Sequence, residues 1–350
     1  MAAMFAEDDL QAAVAAGALT ASGAQALRAF DAARAPPSRT TGADEEAFRL
    51  VTGFNDIFVA IAIVLTLVAA AWLLNQSSPL LAAAGVAVLS WLLAEQFTRV
   101  RRMALPSIVL VLAFGLCAVF LGYALAALIV AAPPGNPRIS TRSLAALSFA
   151  VAAAGVHWWR FKVPITVALG TATAWFTAAL GMALLFVGLQ HHVAALVFGG
   201  GLTMFTTALW FDMRDPARIT RRSDVAFWLH LGAAPLIVHP IFATLGLLGN
   251  NGDSSDGAAG RALAAVAIYV GLALVALVID RRAVLVSGLG YVLFAGGALL
   301  GGIGSLPVGF ALAALVVGAV LLAMSTFWRR LRSPLVRLLP PATRRLLPPI

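Results

Sequence analysis

Charge is what this sequence has least of. Only 11% of its 350 residues are charged and 61% are hydrophobic, whereas soluble domains run near a quarter charged and about half apolar. So few charges cannot cover a water-facing surface on a chain of this length. That excludes an ordinary soluble fold and leaves lipid as the solvent for the excess apolar surface. Cysteine is nearly missing: Cys117 is alone, so neither an intramolecular disulfide nor a cysteine-based zinc site can form. Lysine is equally scarce, with Lys162 the single one among 24 basic residues. Together with the many alanines this points to GC-rich bacterial coding and carries no chemistry. A basic signal-peptide start is lacking too, since Glu7, Asp8 and Asp9 stand where positive charge belongs. The first apolar span is therefore expected to act as its own insertion signal.

What is present is a series of apolar runs. Ten fall at 57–74, 79–97, 105–131, 143–159, 164–188, 192–211, 225–248, 262–279, 283–303 and 306–327, each close to the length of about 20 residues that a span needs. The predicted fold class is all-α: a polytopic membrane bundle of about ten transmembrane helices, preceded by a small cytoplasmic helical hairpin. The chain divides into a hairpin and linker at 1–40, a juxtamembrane amphipathic segment at 41–56, the membrane domain at 57–327 and a basic cytoplasmic tail at 328–350. In the hairpin, Asp8 or Asp9 can cap a first helix ending at Gly17. Thr20 can cap a second that runs through Ala24, Leu27 and Phe30. Residues 35–42 (APPSRTTG) read as a linker, and 45–51 as a brief amphipathic stretch capped by Asp44.

The arginines test the span count. With both termini inside, the inner segments hold 21 basic residues and the outer loops only Arg138, Arg142 and Arg261. A missing span would invert every later loop and erase this asymmetry. Trp158, Trp159, Trp210, Trp228 and Trp328 fall at inner ends and Trp72 at an outer end, as in an aromatic belt. The net charge of +9 is thereby assigned to topology and to anionic headgroups of the inner leaflet. Nucleic acid is not an expected partner, because the basic residues are spread over many short loops. The tail at 328–350 alternates basic and apolar residues with prolines and reads as lying on the inner leaflet or docking a partner.

Span seven is the most suggestive site. Pro235 and Pro240 each remove a backbone donor and would free the carbonyls of Leu231 and Leu236, as in the broken helices that line transporter sites. His230 and His239 place titratable groups in the same span. Nine residues make about 2.5 turns, so the two rings face opposite sides, roughly 13 Å apart along the axis. The competing reading is a packing helix in which each histidine bonds to a neighbour. Glu95, near the inner end of span two, could relay protons or pair with Arg99 one turn on. Asn55 and Asp56 suit helix capping. His191 and His192 start span six at the outer surface, opposite His157, and are read as solvated rather than metal-binding. The loop at 250–257 resembles a calcium loop but lacks its first acidic ligand and terminal glutamate, so a polar turn is expected. Glycines gather at Gly199, Gly200 and Gly201 and through span nine, where Gly297 and Gly301 fit a small-residue packing pattern; an unwound, substrate-lined helix is the alternative. Two five-span inverted repeats would require matching breaks in spans two and seven and in four and nine, and these are not visible.

The string DLQAAVAAGALTASGAQALRAF, with Gly17, Leu19 and Thr20 at its turn, resembles the start of an uncharacterised family of bacterial multi-pass inner-membrane proteins. In that family a short helical hairpin precedes the membrane domain. The strings FRLVTGFNDIFV and WLHLGAAPLIVHP and the LLPP ending look like features of one subgroup. The resemblance implies no known activity and carries over no catalytic residue. The functional expectation is a transporter-like protein handling a small solute or lipid, its path lined by span seven and the glycine-rich spans. The alternative is a non-catalytic membrane scaffold or regulator acting through the hairpin, which would be its protein-binding site. No serine triad order, zinc motif or phosphate loop is present, so no catalytic residue, metal or cofactor is assigned.

Overall fold

A computed structural model of the chain describes residues 13–34, 54–131, 140–246, 258–300, 306–344 and 346–348. The chain forms two units, Met1–Glu46 and Ala47–Ile350. In the first, Gly17 adopts φ +72° after a helical turn. Thr20 Oγ1 then accepts from the Gly23 amide at 3.1 Å to start α1, Ala21–Arg34.

The second unit is helical throughout its described residues. Its long helices are α2 Phe54–Asn75, α3 Pro79–Ala94, α4 Ala104–Ile129, α5 Thr141–Phe161, α6 Pro164–Leu185, α7 Val193–Met213, α8 Arg221–Thr244, α9 Ala258–Ile279, α10 Ala283–Leu300 and α11 Leu306–Leu338. A short α12, Pro341–Arg344, follows. Each long helix overlies one of the ten predicted segments. Among the described residues, eight helices are long and apolar enough to cross a membrane. In α9 and α10 the apolar stretches are shorter, Leu263–Ile279 and Gly288–Gly297. The chain is thus an all-α helix bundle of membrane type. The loop at 250–257, the linker at 35–42, the amphipathic stretch at 45–51 and Gly301 lie outside the described residues.

Local chemistry explains the helix starts. Ser78 and Ser140 adopt extended backbone, and their hydroxyls accept from the amides of Leu81 (3.0 Å) and Ser143 (3.2 Å). Pro79 and Pro164 sit in first turns, where a missing amide proton costs nothing. Large apolar side chains are exposed along the helices, as a surface solvated by lipid requires. On α2, Phe58, Ile61, Leu65, Val68 and Trp72 are exposed at three- and four-residue spacing, while Ala60, Ile63 and Leu67 are buried. One helix differs. Half of the membrane window of α8 is buried, against 22% or less for the other seven. It packs on α6, α7 and α10, and Leu229, Ala233, Ala234, Val238 and Phe242 place it in three of the apolar clusters.

Glycines permit the tightest approaches. A methyl group on Gly201 of α7 would lie 2.8 Å from the Ile237 amide nitrogen and 2.9 Å from the Leu236 carbonyl carbon of α8. Gly199 and Gly200 lie beneath the Trp175 ring, whose Nε1 donates to the Leu196 carbonyl at 2.9 Å. Gly297 faces the Phe310 ring. These glycines are packing positions, and both α7 and α10 are helical through them, so the unwound alternative is not what forms.

Candidate functional site

The connections α3–α4, α5–α6, α7–α8 and α9–α10 gather at one end of the bundle with the C-terminal part of α11. Side-chain contacts show this: Glu95 reaches Arg160, Arg281 reaches Asp212, and Asp280 meets both Arg218 and Trp328. From Arg99 to Arg332, the described basic residues belong to this end except Arg142 and Arg261, near the starts of α5 and α9. Each of the four connections contains one non-glycine residue with positive φ: Arg102 (53°), Lys162 (56°), Arg218 (56°) and Asp280 (58°). A left-handed residue costs roughly 1–2 kcal/mol, and here it lets the chain reverse within a few residues. Tryptophans at this end lie under cations, with Arg214 3.8 Å from the Trp210 ring centre and Arg282 5.0 Å from that of Trp328.

Two buried aspartates organise the charges. Asp212 closes α7 and Asp280 follows α9, so each sits where the negative end of a helix dipole opposes a carboxylate. Both are compensated. Asp212 accepts from Arg281, through Nη2 and, at 3.3 Å, Nε, and lies 2.9 Å from His230 Nε2. Arg281 also donates to the Ser223 hydroxyl at 3.1 Å. Asp280 accepts from Arg218 at 3.1 Å and from the Trp328 indole at 2.7 Å. Arg218 also donates to the carbonyls of Asp280 (2.7 Å) and Ile279 (3.1 Å), satisfying the end of α9. Arg332, 1% exposed, donates to the Pro348 carbonyl at 2.7 Å. The tail segment thus packs back on the bundle through Trp328, Arg332 and Val336, after a bend at Phe327 (φ −104°, ψ 17°). In the α7–α8 connection, burial would raise the pKa of the Asp215 carboxyl. Hydrogen bonds from the Thr220 hydroxyl (2.6 Å) and the amides of Thr220 (2.9 Å) and Ile219 (3.3 Å) outweigh it and hold the group below the ordinary carboxylate range.

The sequence-predicted site residues do not converge. His230 is fully buried against Asp212, with Phe205 edge-on at 5.2 Å. His239 Nδ1 lies 3.2 Å from the Tyr291 hydroxyl. The α8 helix runs continuously through Pro235 and Pro240. Both prolines thus lie inside one helix, half of whose membrane window is buried. Glu95 pairs with Arg99 at 3.3 Å and, in two bonds of 2.7 and 2.9 Å, with Arg160. His230, His239 and Glu95 therefore have three separate sets of partners. Asp56 is buried in the first turn of α2, and His191 and His192 are exposed. Among the described residues, no group of three or more His, Cys, Asp or Glu side chains could hold a metal. No family model, curated protein or solved structure matches the chain.

Space for a ligand exists elsewhere. A cavity of about 580 Å³ opens at the arginine-rich end between the α3–α4 connection, the start of α6 and the start of α8, bounded by Thr98, Arg99, Arg102, Lys162, Arg221 and Trp228 among others. Further along α4 lies an apolar cavity of about 200 Å³ that includes Leu112, Gly115, His157 and Thr166. His157, on the wall of this apolar cavity, is buried 3.2 Å from Thr166 Oγ1 and ringed by Trp91, Phe114 and Phe161. A third cavity, about 440 Å³, touches His191, His192 and Pro240.

Sequence reasoning passed over Asp212, Asp280, Arg218 and Arg281 as partners. A usable signal was present. A carboxylate at the C-terminal end of an apolar run is doubly unfavourable, by the helix dipole and by desolvation, and so requires a cation.

Proposed function

We propose that this protein is a transporter-like bacterial inner-membrane protein handling a small solute or lipid, with both termini and the arginine-rich end cytoplasmic. One observation carries the reading: a polar cavity at the arginine-rich end is followed along α4 by an apolar one. A polar mouth over an apolar groove suits an amphiphile or a permeating solute, and small-molecule sites have volumes of about 300–1,000 Å³. The path runs along α4, α5 and α6 rather than along the two histidines of α8. The resemblance to hairpin-bearing inner-membrane proteins agrees with this placement and supplies no activity. Cysteine accessibility tests it. In a Cys117→Ala background, Ile108→Cys, Leu112→Cys and Gly115→Cys mark one stripe of α4 at four- and three-residue spacing. A membrane-impermeant maleimide added from the arginine-rich side is expected to label 108 and 115, while the lipid-facing Leu65→Cys stays unlabelled. Protection of both to the level of Leu65→Cys defeats the path. Reporter fusions at residue 102 and at residue 77 should report opposite sides, with 102 cytoplasmic; the reverse overturns the orientation.

A scaffold or regulator acting through the hairpin is the second reading, favoured by the separate unit Met1–Glu46. It predicts that deleting residues 1–40 abolishes function while the membrane domain still inserts.

A further inference from the structure

We infer that the 580 Å³ cavity at the arginine-rich end is a site for a phosphate-type anion, either the phosphodiester of an anionic phospholipid or free phosphate. This rests on the reading that the cavity faces a substrate. Four cations line it, Arg99, Arg102, Lys162 and Arg221, against one carboxylate, Asp224. Arg99 is partly neutralised by Glu95 at 3.3 Å and Lys162 lies 5.4 Å from the Trp158 ring centre. Arg102 and Arg221 form no ion pair among the described residues. Arg102 therefore offers its charge to a ligand, and Arg221, which also attracts Asp224 in the same cavity, offers part of its own.

The backbone adds to this field. Met103 and Val163, the residues just before α4 and α6, provide no side-chain cap, and both line the cavity. Two positive helix ends thus face the same space. On the third wall the chain leaves α3 through a π-helical turn, Glu95–Val100, a distortion that recurs at functional sites. In that turn the Thr98 hydroxyl is buried with no hydrogen-bond partner among the described residues. Buried hydroxyls normally have one, and a bound oxyanion would supply it. Basic pockets between membrane helices at a cytoplasmic face suit anionic headgroups. The apolar cavity further along α4 lies where an acyl chain would run.

The experiment uses the full chain in detergent or nanodiscs. Native mass spectrometry measures retention of phosphatidylglycerol against phosphatidylcholine, and calorimetry measures binding of inorganic phosphate. Arg102→Gln/Arg221→Gln should weaken anion binding by about thirty-fold, the effect of removing two interfacial cations. Arg329→Gln/Arg330→Gln removes the same charge at the same end outside the cavity lining and should change binding less than about three-fold, since exposed charges that do not touch the ligand are screened by salt. Thr98→Val, nearly isosteric, should weaken binding several-fold without loss of charge or fold. Selective retention of phosphatidylglycerol that depends on Arg102 and Arg221 assigns a lipid headgroup. Phosphate binding with that dependence, but no lipid selectivity, assigns free phosphate. The inference is overturned if neither probe separates the cavity variant from Arg329→Gln/Arg330→Gln. Labelling at 108 together with that result removes the anion assignment alone; protection at 108 and 115 with cavity-dependent lipid retention removes the path alone.

Discussion

Arg281→Ala probes the charge network most directly. Arg281 is 1% exposed and supplies both of the arginine bonds to Asp212, as well as the bond to the Ser223 hydroxyl. Truncation leaves Asp212, 7% exposed, at the end of α7 with His230 as its remaining side-chain partner among the described residues and with the helix dipole against it. Removing one member of a buried ion pair costs about 3–5 kcal/mol, because the survivor keeps its desolvation penalty. Removing both charges cancels most of that penalty. Asp212→Asn/Arg281→Met should therefore be more stable than Arg281→Ala, by at least about 2 kcal/mol. His230→Ala loses one hydrogen bond and some packing and should fall between, at about 1–3 kcal/mol. The assay is thermal unfolding of detergent-purified protein, followed by size-exclusion profile or tryptophan fluorescence across the four chains. Arg281→Ala within about 0.5 kcal/mol of wild type, or a double variant no more stable than Arg281→Ala, would refute the assignment of Asp212–Arg281 as a coupled buried pair.

Other perturbations follow from single contacts. Gly201→Val should force α7 and α8 apart, since even a Cβ would meet backbone atoms of Ile237 and Leu236 below 3.0 Å. A loss of about 1–3 kcal/mol is expected, whereas Gly155→Ala, with nothing within 4 Å, should be neutral in the same melt. Asp215 has a lowered carboxyl pKa in the folded protein, so its contribution is complete at neutral pH and is lost as pH falls from the ordinary carboxylate range through the lowered value. Asp215→Asn should therefore lower stability at pH 7 and flatten the acid limb of a melting-temperature profile; an unchanged profile would show that the Thr220 and Ile219 bonds carry no net stability.

Much of the bundle was legible because membrane insertion is a local property. Hydropathy over about 20 residues decides whether a segment leaves water, and the ten apolar runs became ten helices with boundaries shifted by a few residues, save that α11 continues past the expected end at 327 to Leu338. The π-helical turn at Glu95–Val100 was not visible, because it reflects how α3 meets α4 rather than the composition of the segment. That α8, with Pro235 and Pro240 inside it, is the most buried of the eight spans depends on its neighbours α6, α7 and α10. His157 was located only by its side of the membrane. Its burial against Thr166 and three aromatic rings required the neighbouring helices to be known.

The scarcity of charge determined, from sequence alone, the solvent, the helical class and which connections share an end. Those follow from transfer free energies that add along the chain and from the alternation that successive spans impose. Tertiary structure alone decided what each charge does. Glu95 and Arg160 are 65 residues apart and Asp212 and Arg281 are 69 apart; their pairing depends on which helices are neighbours. Arg102 and Arg221 line a cavity and form no salt bridge among the described residues for the same reason. Arginines that count alike in a topology tally are braces in one place and an open cationic surface in another, because Coulomb energy depends on separation and burial, and neither is written in the order of the residues.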